Sequence, residues 1–201
     1  MVRVNLQFFG GRGASSASSS GSNVFGKQGK PKTPEEALAT TNPNYRNGRE
    51  YRVNCQRCVL AYELQRQGYG VEALPATMNG NDPMFSNRRW MVGFENQTWS
   101  RQGELGSRNS AVEKNIIGKM QNWGDGSRAI AYVEWKHGNA HVFNIENRGG
   151  KVSIFEAQSG KTYSLNAYLS ISKPSKTMIS RVDNLKPNEG VMQYAVKTKG
   201  R

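Results

Sequence analysis

Four side chains carry most of the reactive potential of this 201-residue chain: Cys55, Cys58, His137 and His141. Three chemistries compete for them. Cys55-x2-Cys58 and His137-x3-His141 have the spacings of metal ligands. A Cys2His2 finger, however, needs a short gap between its halves, and here most of a domain intervenes. The two histidines also straddle a hairpin signal and do not share a helix face. A thioredoxin-like redox pair would use the Cys-x-x-Cys unit alone. That fold expects a strand directly before the motif, and Tyr51-Arg52-Val53 makes a poor one. The third chemistry is a thiol nucleophile served by a remote base. Cys55 follows a good helix-capping residue, Asn54, so free N–H groups and the positive dipole end favour its thiolate. The base would be His141, and Glu156 or Gln158 can reach it from the next strand, because antiparallel neighbours stand about 5 Å apart. Buried structural cysteine and histidine is the alternative that asks for no chemistry.

The elements needed to position these groups can be read from pattern. Thr33 can cap a helix that starts at Pro34 and carries Glu35 and Glu36 in its first turn. Cys55, Cys58, Val59 and Tyr62 fall at i, i+3, i+4 and i+7, predicting a helix stopped by Gly68. Ser110 and Glu113 predict a capping box for a further helix faced by Val112, Ile116, Ile117 and Met120. Residues 129–135, 142–147 and 152–155 read as strands, separated by His137-Gly138-Asn139 and Arg148-Gly149-Gly150 turns. Helices first and an antiparallel sheet second predict an α+β fold. Residues 75–108 are polar, Gly-rich and aromatic, and give no assignment.

Composition narrows the function classes. Apolar runs stay far below the roughly 18 residues that cross a bilayer, which excludes a membrane-spanning helix. The start of the chain lacks the apolar core of a secretory signal, and two cysteines cannot build a disulfide framework. A reducing cytoplasm is the expected setting. Lys+Arg 28 against Asp+Glu 15 gives a net charge of +13. The basic residues are scattered, from Arg46, Arg49, Arg52, Arg57 and Arg66 to Lys173, Lys176 and Lys186, without interleaved aromatics for stacking bases. Nucleic acid is therefore at most a non-specific partner. Residues 1–32 are expected to be a leader and flexible Gly/Ser-rich tail, and 33–201 the folded domain.

The helix Asn54-Cys55-Gln56-Arg57-Cys58-Val59-Leu60-Ala61-Tyr62-Glu63-Leu64 with Gly68 resembles the "NCxxCVxAxELxxxG" opening of the papain-fold toxin, or glutamine deamidase, family. Ala140-His141-Val142-Phe143-Asn144 resembles its "GHAFxV" strand. Phe155-Glu156-Ala157-Gln158-Ser159-Gly160 is similar to its "DxQxG" strand. The three motifs come in the family's order across residues 42–185. Ala140 stands where the family has Gly, and Glu156 where it has Asp.

The resemblance implies a papain-like fold, with the cysteine helix packed against an antiparallel sheet bearing the histidine and the acid. It makes Cys55 the nucleophile, His141 the general base and Glu156 the group orienting the imidazole, with Gln158 nearby or substituting. Asn54 or Gln56 would assist backbone amides in holding the oxyanion or substrate. The extra methylene of Glu156 is expected to displace the carboxylate by about an ångström or more and to weaken catalysis. Cys58 is expected in the core and His137 in a solvated loop. No metal and no cofactor is implied.

A second resemblance concerns Val4-Asn5-Leu6-Gln7-Phe8-Phe9-Gly10-Gly11, which is similar to the cleavable leader of phage structural-module proteins, with cleavage after Phe9. Together these imply a phage-encoded cysteine amidohydrolase or peptidase acting on glutamine side chains of a protein in the host cytoplasm. The contrasting expectation is an inactive, virion-associated module that binds phage head proteins.

Overall fold

The computed structural model describes residues 25–198. The expected leader and the start of the Gly/Ser-rich stretch lie outside them. Along the chain come α1 (Pro34–Thr41), α2 (Cys55–Arg66), β1 (Val71–Ala73), α3 (Pro83–Ser86), β2 (Ser100–Arg101), α4 (Asn109–Trp123), β3 (Arg128–Glu134), β4 (Ala140–Arg148), β5 (Lys151–Glu156), β6 (Lys161–Ser164), α5 (Leu165–Leu169), β7 (Met178–Arg181), α6 (Glu189–Met192) and β8 (Val196–Thr198). Helices and antiparallel strands make the expected α+β mixture.

The main sheet has the order β2-β7-β3-β4-β5-β6, antiparallel throughout, and β1 pairs with β8 in a separate ribbon. Its centre is the three-strand unit predicted from sequence. Within it His141 lies opposite Val133 and Asn144 opposite Phe155. Both faces of this sheet are covered. Ile130, Val142 and Phe155 pack with Leu60 and Tyr62 of α2, while Ala131, Phe143, Ile145 and Ile154 pack with Val112, Ile116 and Met120 of α4. Double coverage explains the continuous apolar runs in β3 and β4, which a one-sided sheet would break with polar residues.

Three local expectations are corrected. Residues 25–32 are not a free tail: Phe25 is buried with its ring edge on Tyr69, and Gly29 N–H donates to the Gly68 carbonyl at 2.8 Å. Gly68 sits at φ +99, and a Cβ there would collide with Gly29 O, so both the turn and the close approach require glycine. Helix α4 starts at Asn109, one residue before the predicted capping box, and no side chain caps it. Thr33 and Glu36, by contrast, form the reciprocal box at α1, which places Pro34 first in that helix.

The largest departure is α2, expected to have one apolar face and found buried on nearly all sides. Its polar side chains are therefore paired inside the protein. Arg57 binds Asp82 at 2.6 Å, and Glu63 receives two hydrogen bonds from Arg128, both 2.8 Å. Across the sheet, Glu146 of β4 accepts from the Tyr62 hydroxyl at 2.7 Å and from Arg66 at 2.8 Å. Asn144 donates to the Val59 carbonyl at 3.1 Å. These bonds fix the height of α2 over β4, and with it the position of Cys55.

Glu146→Ala strands Arg66 and the Tyr62 hydroxyl and should cost about 3–5 kcal/mol. Tyr62→Phe, which leaves the ion pair in place, should cost about 1 kcal/mol. Urea unfolding of both variants checks the order; equal losses would show that Glu146 does not anchor the helix.

Candidate functional site

The start of α2, the start of β4 and the end of β5 meet at one end of the main sheet. Antiparallel pairing requires this for the two strands, since β4 begins where β5 ends. His141, second in β4, and Glu156, last in β5, are joined there by a bond of 2.6 Å between Nε2 and Oε2. The glutamate's extra length does not break the contact. Nε2 is engaged by the carboxylate, so Nδ1 is the ring nitrogen left to exchange a proton with a thiol. Cys55 lies close enough to the same ring to shift its pKa, and its exposure of 8% contrasts with 0% for Cys58.

The electrostatics follow from this packing. Burial by itself lowers the His141 pKa, but the hydrogen bonds and charge of Cys55 and Glu156 outweigh it and push it up from 6.5 to about 10. Burial drives the Cys58 thiol well above its ordinary value, helped by the neighbouring Cys55 and Glu156. Cys58 Sγ donates to Asn54 Oδ1 at 3.3 Å. The two thiols of the Cys-x-x-Cys unit thus stand in different environments, one at the imidazole and one in the core.

Asn54 is at the helix start, as predicted, but its side chain does not cap the helix. It is fully buried, and its amide donates to the Leu74 carbonyl at 3.0 Å and to Asn42 Oδ1 at 3.4 Å. That corrects its expected role at the oxyanion: both amide hydrogens point into the protein. Gln158 does not orient the imidazole either. Its side chain donates to Asn54 Oδ1 at 3.3 Å and its backbone N–H to Glu156 Oε1 at 3.1 Å. Gln56 remains half-buried beside Cys55, and His137 is exposed in the β3–β4 turn. Among the described residues, no group of three or more His, Cys, Asp and Glu could hold a metal ion.

Three site residues carried no motif in the sequence. Trp135, just past β3, stacks on His141 with centroids 5.9 Å apart and planes at 24°. Tyr168 of α5 donates from its hydroxyl to Glu156 Oε2 at 2.9 Å and presents its ring to His141 at 5.8 Å. Asn42 donates to the Tyr51 and Gln158 carbonyls, both at 2.8 Å, and so ties the segment before α2 to the end of β5. The aromatic content around residue 135 was the single available hint.

Among protein families, residues 53–161 match the model described as Papain fold toxin 1, glutamine deamidase. The matched stretch contains Cys55, His141, Glu156 and Gln158 and ends before Tyr168. No curated protein and no solved structure matches the chain.

Because folding raises the His141 pKa, protonated His141 stabilises the fold. That contribution is complete below pH 6.5 and is lost as pH rises through about 10. The stability gap between wild type and His141→Gln should therefore be widest below pH 6.5 and narrow steadily as pH rises toward about 10. Urea midpoints across that range check it; a gap independent of pH would remove the charged-imidazole account.

Proposed function

For a chain that belongs to the papain-fold toxin 1, glutamine deamidase family, we propose hydrolysis of a glutamine side-chain amide in a protein substrate, with Cys55 as nucleophile. The observation that carries this reading is the His141–Glu156 bond of 2.6 Å at the ring that Cys55 faces. His141, whose raised pKa keeps it protonated near neutrality, already holds the proton drawn from the Cys55 thiol when Sγ attacks the carboxamide carbon. The same proton is returned to the departing nitrogen, which leaves as ammonia, and a thioester remains. Water, deprotonated by His141, then attacks the thioester, regenerates the thiol and releases a glutamate side chain. Glu156 keeps Nε2–H oriented and balances the imidazolium that forms.

The oxyanion of each tetrahedral intermediate needs donors fixed in advance. The Arg57 and Cys58 amides return to the Asn54 carbonyl. The Cys55 and Gln56 amides, first in the helix, are the donors this reading assigns to the oxyanion, with the half-buried Gln56 side chain beside them. Trp135 covers the imidazole and limits the access of water to it. The Val4-Asn5-Leu6-Gln7-Phe8-Phe9 leader supports a phage-encoded protein that acts in the host cytoplasm or travels with the virion.

Incubation with host proteins followed by intact-mass analysis tests the reaction. Each event should add about one dalton, the exchange of NH2 for OH expected of acyl transfer to water. Cys55→Ala should abolish the gain, and His141→Ala should slow it by about 100-fold or more. Fragments in place of the mass gain would identify a peptidase. An unchanged mass with every host protein would favour a binding module.

A further inference from the structure

A glutamate carboxylate has one more rotatable bond behind it than an aspartate carboxylate, so it needs more contacts to hold one position. Three donors converge on Glu156. The Gln158 backbone N–H takes Oε1, and His141 Nε2 and the Tyr168 hydroxyl share Oε2, at 2.6 and 2.9 Å. Tyr168 is thus the second side chain on this carboxylate among the described residues. It also touches the imidazole, and its ring meets Phe143 edge-on at 5.0 Å and Trp135 at 5.5 Å. Its short helix is anchored by Leu165 and Leu169, both buried against the sheet. Burial and the adjacent Glu156 charge push the phenol pKa up, so the hydroxyl keeps its proton and remains a donor. Tyr168 lies outside residues 53–161, the stretch that defines the family match.

We propose that Tyr168 is a positioning residue for the Cys55 reaction: its hydroxyl pins Glu156 Oε2 so that the carboxylate holds the imidazole with Nδ1 toward the thiol. This rests on the hydrolase reading above. Without the hydroxyl the carboxylate turns about its additional bond, the ring loses its fixed orientation, and the imidazole no longer holds the Cys55 proton in place for transfer. Tyr168 does not touch substrate in this scheme. It acts only through Glu156 and His141.

Iodoacetamide alkylation of the full chain, resolved by residue with mass spectrometry, tests this without a known substrate. Tyr168→Phe retains the ring and removes the hydroxyl. Cys55 alkylation at neutral pH should fall by about tenfold, and its pH midpoint should rise by about half a unit or more. Cys58 labelling should stay near wild type, and the unfolding midpoint should fall by no more than it does in Tyr62→Phe, since each variant loses one hydroxyl donated to a buried glutamate. In a Glu156→Ala background, Tyr168→Phe should have no further effect on Cys55, because the hydroxyl then has no carboxylate to hold. An unchanged Cys55 rate in Tyr168→Phe overturns the proposal, as does the same fractional loss in both backgrounds. If wild-type Cys55 reacts no faster than Cys58, the hydrolase reading fails and this proposal falls with it. A fast Cys55 that is indifferent to Tyr168→Phe removes this proposal alone.

Discussion

A helix enclosed on nearly all sides cannot leave its polar side chains to water, and α2 carries an arginine, a glutamate and a glutamine in its middle. Each must find a partner within the fold or destabilise it. Arg57 reaches Asp82 and the Tyr194 carbonyl, Glu63 reaches Arg128, and Gln65 bonds the Val71 carbonyl, Lys32 and Thr40. Those partners come from both ends of the domain and from its middle. Satisfying one helix therefore commits distant parts of the chain. It also changes the meaning of the basic composition, because Arg57, Arg66 and Arg128 serve largely as internal partners.

Given that helix, the site is assembled from the ends of regular elements. A helix start contributes the sulfur, a strand start the imidazole and a strand end the carboxylate. Backbone at such positions is held by its own ladder or helix, while side chains still reach the edge of the core. Asn54 then locks helix start to strand end. One buried amide contacts Leu74, Asn42, Gln158 and Cys58, so a residue suited by type to capping serves as a cross-link between segments.

What could be read from the sequence was local. The Cys-x-x-Cys helix, the Gly149-Gly150 hairpin and the order cysteine, histidine, acid depend on near neighbours and survive folding unchanged. Capping at Asn54 and Ser110 was also a local inference, and there tertiary partners and a one-residue shift of the helix start prevailed. Residues 25–32 look like a linker by composition, yet Gly29 bonds Gly68, whose lack of a side chain is what lets the two backbones pass so close. The short strands β2, β6 and β8 have too few residues for a period to register. Trp135, Tyr168 and Asn42 are single residues without characteristic spacing. Their importance lies in contacts across the chain, Tyr168 with Glu156 and Asn42 with Gln158, that no sequence pattern encodes.

The pairing of β1 with β8 brings Thr198 beside Val71, and Gly26 lies next to Thr198. Both limits of the described chain therefore leave from the Gly68 pole of α2, about 18 Å of helix away from Cys55. The β1–β8 ribbon thus closes the described chain on itself at the pole opposite the thiol, leaving the approach to Cys55 framed by the interior elements α2, β4, β5 and α5.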